Sequence, residues 1–245
     1  NDALVQFFHR HVVPIYFSFK KGSERSACVV TSFVMSIYDQ WFLVTAGHCI
    51  EEIEENLSKG YEIERCRLID FMGFDAPHTE PIPFDYSESA ATKLCYDPTY
   101  DYGLLFLDEH YVRLLRANGV QALTEEVWEQ QPDTADFYML LGVVGQLSEA
   151  TPTAASVTST LLKVIELPER PDAFVETTAP TLWGEVLVRE PVTDIMGMSG
   201  GPVFSFRRTE DGKLRYWLHA VQSRWIPSRR LIAACLSRPL GTFLK

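Results

Sequence analysis

Three short stretches carry the residue types that nucleophilic chemistry needs. MGMSGGPVF (196–204) sets one serine, Ser199, among three glycines and a proline. LVTAGHCI (43–50) closes an apolar run with small residues and then presents His48. YDPTYDYGLLFLD (96–108) places Asp101 directly before an apolar run that starts at Tyr102, with Asp97 as a second carboxylate nearby. A serine hydroxyl is a weak nucleophile at neutral pH. It needs a base within hydrogen-bond reach, and the base needs an acceptor that fixes its tautomer and supports its charge. The reaction also creates an oxyanion, which needs preorganised donors. Backbone N–H groups in a glycine turn serve well, because Gly197 and Gly200 admit conformations and close approaches closed to other residues. Each stretch alone has a plainer reading: a turn, a packed histidine beside Cys49, a turn-capping aspartate. Their joint presence is what points to catalysis.

The elements around these residues read as short strands. SACVVTSFVMSI (26–37), YDQ and WFLVTA (41–46) form a hairpin pattern, and RCRLIDFMG (65–73) alternates like a half-buried strand. YGLLFL (102–107) is a continuous apolar run suited to a buried strand. FYMLLGVVG (137–145), STLLKVIEL (159–167), LWGEVLV (182–188), GPVFSF (201–206) and YWLHAVQS (216–223) continue the series. Helical spacing is confined to 51–60, 109–119 and 228–238, the last giving an expected C-terminal helix before Pro239. The acidic stretch 109–134 reads as a connector between two β halves. Many short strands with turn signals between them indicate a barrel or sandwich.

Composition narrows the function. With 245 residues, 46% apolar and 22% charged, the chain can bury a substantial core and is not a disordered segment. A net charge of −11 disfavours nucleic acid and anionic membrane surfaces as partners. No apolar run reaches the roughly 18–20 residues that span a bilayer. The cysteines, at 28, 49, 66, 95 and 235, are odd in number and show no C-x-x-C spacing. That argues against a zinc site and, with no export signal, points to a reducing, cytoplasmic setting, secretion being the alternative. His219 sits in a strand pattern and reads as structural. HRH (9–11) reads as solvated in a mobile N-terminus, and EEIEE (51–55) as a charged helix face near the rim of the site.

TAGHC, DYGLLFL and GMSGGPVF, in the order His, Asp, Ser, resemble the chymotrypsin/trypsin-like serine proteases. The separations are 53 residues (48 to 101) and 98 residues (101 to 199). The resemblance in organisation spans roughly residues 12–225, with specificity resting on the three motifs. It implies an all-β fold of two six-stranded antiparallel β-barrels with a C-terminal helix. The barrels would span 1–110 and 136–227, with a connector over 111–135 and the helix over 228–245. It implies Ser199 as nucleophile, His48 as general base and then acid, and Asp101, rather than Asp97, as the group orienting His48. The N–H groups of Gly197 and Ser199 would form the oxyanion hole. By analogy Thr193 and Asp194 would floor the specificity pocket, and Gln222, Ser223 and Arg224 would wall it. Asp194 would favour Lys or Arg substrates and Arg224 acidic ones. The implied activity is a serine endopeptidase acting on protein or peptide substrates through an acyl-enzyme, with no cofactor or metal.

The pattern departs from the family in one place. Secreted members carry an aspartate before the serine that pairs with a newly cut N-terminus, and here that residue is Met198. Activity is therefore expected without N-terminal cleavage, with the oxyanion loop either preformed or ordered by another domain or a partner. A catalytically silent binding module on the same fold is the alternative, because a collapsed loop would silence an intact triad. Cys49 and Cys28 occupy positions compatible with a bridge in secreted relatives, and two reduced thiols are the preferred expectation here. An esterase of the G-x-S-x-G type also matches GMSGG, but its order of Ser, Asp/Glu, His does not.

Overall fold

Strand periodicity and turn chemistry build the N-terminal half. The computed structural model describes residues 2–72, 76–91, 100–132 and 134–243. Its first strands are β1 (Ile15–Lys21), β2 (Glu24–Val30), β3 (Phe33–Ile37), β4 (Gln40–Ala46), β5 (Glu62–Leu68), β6 (Ile82–Pro83) and β7 (Tyr102–Leu107). They form a four-stranded sheet in the order β2-β1-β5-β6 and a three-stranded sheet in the order β3-β4-β7. The β3–β4 hairpin turns on Tyr38 and Asp39, both left-handed with φ of 50° and 63°. Such a two-residue turn matches the right-handed twist of the flanking strands.

The C-terminal half contributes β8 (Phe137–Val143), β9 (Glu149–Ala150), β10 (Ala155–Ser156), β11 (Ser159–Leu167), β12 (Thr181–Val186), β13 (Pro202–Arg208), β14 (Leu214–Ile226) and β15 (Leu231–Leu236). Six of them close into an antiparallel barrel in the order β11-β12-β15-β14-β13-β8, leaving β9 and β10 as a separate hairpin. The chain is thus mainly β, with one closed six-stranded barrel. Among the described residues the N-terminal strands remain divided between two sheets, where a second closed barrel was expected.

Helices are short: α1 (Asp2–His9), α2 (Gly47–Ser58), α3 (Tyr86–Ala91), α4 (Glu109–Ala117), α5 (Glu125–Trp128) and α6 (Arg238–Phe243). The helix expected over 228–238 is largely replaced by strand β15, preceded by a 3-10 turn over Pro227–Arg229, and α-helix at this end of the chain is confined to α6. Leu231–Leu236 is an almost wholly buried apolar run, whose spacing suits helix or strand equally. Pairing along both edges, with β12 and β14, decides for strand, and the continuous burial fits a strand covered on both faces. Arg230, left-handed at φ 54°, makes the turn into it.

The N-terminal HRH segment is also placed differently from expectation. His9 ends α1 and is buried, as is His11, whose Nδ1 lies 2.7 Å from the Gln121 carbonyl. The cause is α1 itself, which seats Phe8 against Phe204 and Phe206 of β13. The apolar seam between the halves also takes in Phe33, Tyr102 and Trp128. Each fully buried side chain of this kind contributes about 1.5–3 kcal/mol. The seam therefore holds the two halves in a fixed relation, which a site assembled from both requires.

Candidate active site

Asp101 builds the first half of the site. Helix α2 begins at Gly47, and its N-cap residue, Ala46, has no side chain able to satisfy the first N–H groups. Asp101, just before β7, supplies that function from across the sheet. Its carbonyl accepts from Gly47 N at 3.0 Å, and its Oδ1 accepts from His48 N at 2.7 Å. Its Oδ2 lies 2.8 Å from His48 Nδ1 and also accepts from Ser223 Oγ. His48 therefore sits on the first turn of a helix, and the carboxylate that caps the helix also orients the ring. A carboxylate acceptor puts the Nδ1 proton between them and leaves Nε2 free to accept.

Two glycines make this closeness attainable. A Cβ on Gly47 would stand 3.0 Å from Asp101 Oδ1, and one on Gly103 would stand 2.6 Å from Ile50 Cγ1. The glycine of DYG thus lets α2 lie down on β7.

The electrostatics follow from the contacts. Burial works against an imidazolium at His48, but the Asp101 hydrogen bond and charge, with Cys49 Sγ, outweigh it and raise the pKa above the ordinary 6.5. Burial likewise works against a carboxylate at Asp101. The hydrogen bond and charge of His48, then the Ser223 hydroxyl and the His48 N–H, hold its pKa below the usual range.

The serine turn comes from the other half. Gly197 and Gly200 are left-handed, at φ 94° and 87°. A Cβ on Gly200 would stand 2.2 Å from Thr45 Oγ1 and 2.5 Å from the Thr31 carbonyl. Gly200 is where the serine turn presses onto the end of β4, next to the histidine segment. In a trans peptide the N–H points opposite to the preceding carbonyl. The Met196 carbonyl is tied to Gly145 N at 2.8 Å and the Met198 carbonyl to Gly201 N at 2.8 Å. The N–H groups of Gly197 and Ser199 accordingly point away from these anchors, and neither bonds to another group among the described residues. Met198 is wholly buried against Gly142, so the loop is anchored by apolar packing where zymogen-type members use an aspartate.

His48, Asp101, Gly197, Ser199, Ser223 and Arg224 line one cleft of about 720 Å³. Among the described residues, no hydrogen bond joins Ser199 to the imidazole. Such contacts are commonly long without substrate and tighten when it binds. The other residues expected at the specificity pocket lie outside this lining. Thr193 is exposed, and its N and Oγ1 bond Gln146 Oε1 at 3.1 and 3.2 Å. Asp194 accepts from Trp225 Nε1 at 2.8 Å and from Met196 N at 3.0 Å, so its carboxylate is engaged. Gln222 is buried, with its backbone paired to the serine turn.

Sequence reasoning missed the apolar rim, formed by Val175 and Met196, which are 75% and 69% exposed, and by Phe174 behind them. The available signal was an apolar residue inside an otherwise polar loop. It also assigned Ser223 to substrate alone, whereas Ser223 bonds Asp101. Asp97 lies outside the described residues. Cys28, Cys49, Cys66 and Cys235 are free thiols, with Cys49 Sγ 3.9 Å from the Ser199 carbonyl.

The fold is shared with solved serine proteases. A thermostable serine protease, AL20, from an extremophilic microorganism aligns over 96% of this chain and 98% of its own, at 14% identity and a TM-score of 0.52. The structure of Deg5 aligns over 99% and 90%, at 13% identity and a TM-score of 0.52. No protein-family model and no curated protein sequence matches the chain. At such identities the likeness is one of fold. No helix among the described residues is long and apolar enough to cross a membrane.

Proposed function

We propose that the chain is a serine endopeptidase that hydrolyses peptide bonds through an acyl-enzyme. The observation that carries this reading is the convergence on one cleft of the His48–Asp101 pair, Ser199, and the free N–H groups of Gly197 and Ser199. Ser199 Oγ attacks the scissile carbonyl as His48 Nε2 takes its proton. Asp101 supports the imidazolium that forms, and the two N–H groups receive the developing oxyanion. His48 then returns the proton to the leaving amine. Water repeats the sequence on the ester, with His48 again as base, and frees Ser199.

The loop anchoring supports a preformed oxyanion hole. Met196 and Met198 are fixed by backbone bonds and apolar packing that need no new N-terminus. Activity then proceeds without N-terminal cleavage.

The test is labelling by a fluorophosphonate serine-hydrolase probe, comparing the natural chain with Ser199→Ala and His48→Ala. Labelling lost in both variants, each still folded by circular dichroism, supports the assignment. A folded natural chain that takes no label overturns it.

A further inference from the structure

A second cavity lies elsewhere and shares no lining residue with the catalytic cleft. It measures about 750 Å³, within the range of small-molecule sites. Its walls come from both halves. Tyr16 of β1 and Arg67 of β5 are cross-strand partners, and Arg65 stands two residues away on the same face of β5. The end of α1 contributes His9, and the start of β11 contributes Ser159.

Three contacts hold the walls together. Tyr16 Oη donates to the Thr151 carbonyl at 2.6 Å. His9 Nε2 lies 2.6 Å from Ser159 Oγ. Arg65 Nη1 donates to the Thr153 carbonyl at 3.3 Å. The remaining lining is largely apolar, led by Ile69, Phe71 and Val157.

Among the described residues no carboxylate neutralises the charge in this cavity. Neither Arg65 nor Arg67 forms an ion pair among the described residues, in a protein whose net charge is −11. Burial lowers the His9 pKa, with the Met72 backbone opposing, so the guanidinium groups are the site's cations. Two guanidinium groups on one strand face suit an oxyanion group, and the apolar wall beyond them suits a hydrocarbon tail.

We infer that this cavity is a binding site for a small amphipathic anion, with a carboxylate or phosphate head held by Arg65 and Arg67 and an apolar tail laid along Ile69, Phe71 and Val157. The head chemistry is shared by free fatty acids and by alkyl phosphates, and the assay separates the two.

The experiment is isothermal titration of the natural chain with decanoate, decyl phosphate, decanol, decyltrimethylammonium and inorganic phosphate, all below their micelle concentrations. Saturable one-to-one binding of decanoate or decyl phosphate is expected, with the tighter of the two identifying the head group. Decanol, decyltrimethylammonium and phosphate alone should bind at least about tenfold more weakly. Arg65→Gln and Arg67→Gln should each weaken the anion by about tenfold or more. Arg65 is exposed, so its variant is expected to fold even if that of Arg67 does not. Equal binding of decanol and decanoate, no saturable binding of either anion, or unchanged affinity in folded Arg65→Gln overturns the inference.

Discussion

The Asp101 carboxylate grips His48 twice, through the backbone N–H at 2.7 Å and the ring Nδ1 at 2.8 Å. One side chain thus caps helix α2 and sets the tautomer of the base. The raised His48 pKa has a direct consequence. In the proposed mechanism His48 works as base only when neutral, so activity should be present at high pH and lost as pH falls through a value above 6.5. Asp101→Asn removes the charge that opposes burial, so the His48 titration should move to lower pH. The same variant should lower kcat/KM by about 10⁴-fold, because an amide no longer enforces the Nδ1–H tautomer. A pH–rate profile of the natural chain and an NMR titration of the ring in both proteins check this. An unmoved titration would detach Asp101 from the base.

Met198 directly precedes Ser199 and is wholly buried against Gly142. Met198→Leu keeps volume and polarity and should cost less than about 1.5 kcal/mol with labelling retained. Met198→Asp places a carboxylate in an apolar site with no new N-terminus to meet it, and should cost about 3 kcal/mol or more. Urea melts measure the cost. An N-terminal extension should leave fluorophosphonate labelling unchanged, and lost labelling on extension would show that the loop does need a free terminus.

The three motifs around His48, Asp101 and Ser199 were legible in sequence because the proposed chemistry restricts their residue types. His48, Asp101 and Ser199 have few substitutes, and Gly103 and Gly200 are demanded by contacts of 2.6 and 2.2 Å that a Cβ would make. Strand β15 was not legible as a strand. A buried apolar run carries no period, and only its partners β12 and β14 distinguish it from helix. The burial of His9 and His11 was hidden for a similar reason, since it depends on where α1 docks. The bonds that hold Thr193 and Asp194 were not legible either, because Gln146 and Trp225 are remote from them in sequence.

Gly200 gives a test of how the halves are coupled. A side chain there meets backbone atoms, the Thr31 carbonyl at 2.5 Å and Ala46 N at 2.8 Å, in addition to the Thr45 hydroxyl. Backbone cannot swing aside as a flexible side chain can, and φ 87° adds strain. Gly200→Ala should therefore destabilise by about 1–3 kcal/mol and also displace Ser199 from His48. Labelling should fall by at least about 10²-fold, in line with the sensitivity of catalysis to a misplacement of 1 Å. Gly22→Ala, where a Cβ meets nothing within 4 Å, serves as the control for a strained φ without a clash. If both variants lost labelling equally, backbone strain alone would account for the effect and the close approach of the halves would not matter.

Arg224 is an exposed charge in the cleft. It lines the same cleft as Ser199, is exposed, and makes no ion pair among the described residues, while Asp194 is occupied by the Trp225 indole. If the proposed function holds, this cation should favour acidic side chains near the scissile bond, and the engaged Asp194 should do little for basic ones. Because Arg224 is solvated, its effect should be modest. An exposed pair contributes about 0.2–1 kcal/mol, which is a few-fold in kcat/KM. Glu51 lines the cleft as well and offsets part of the attraction, depending on which subsite a residue occupies. Profiling with a peptide library should show acidic residues enriched at one position. Arg224→Glu should reverse that preference, and added salt should weaken it in the natural chain, since exposed charges are screened beyond about 8–10 Å. A preference for Lys or Arg that survives Arg224→Glu would instead place Asp194 in contact with substrate, and would require its bond to Trp225 to open on binding.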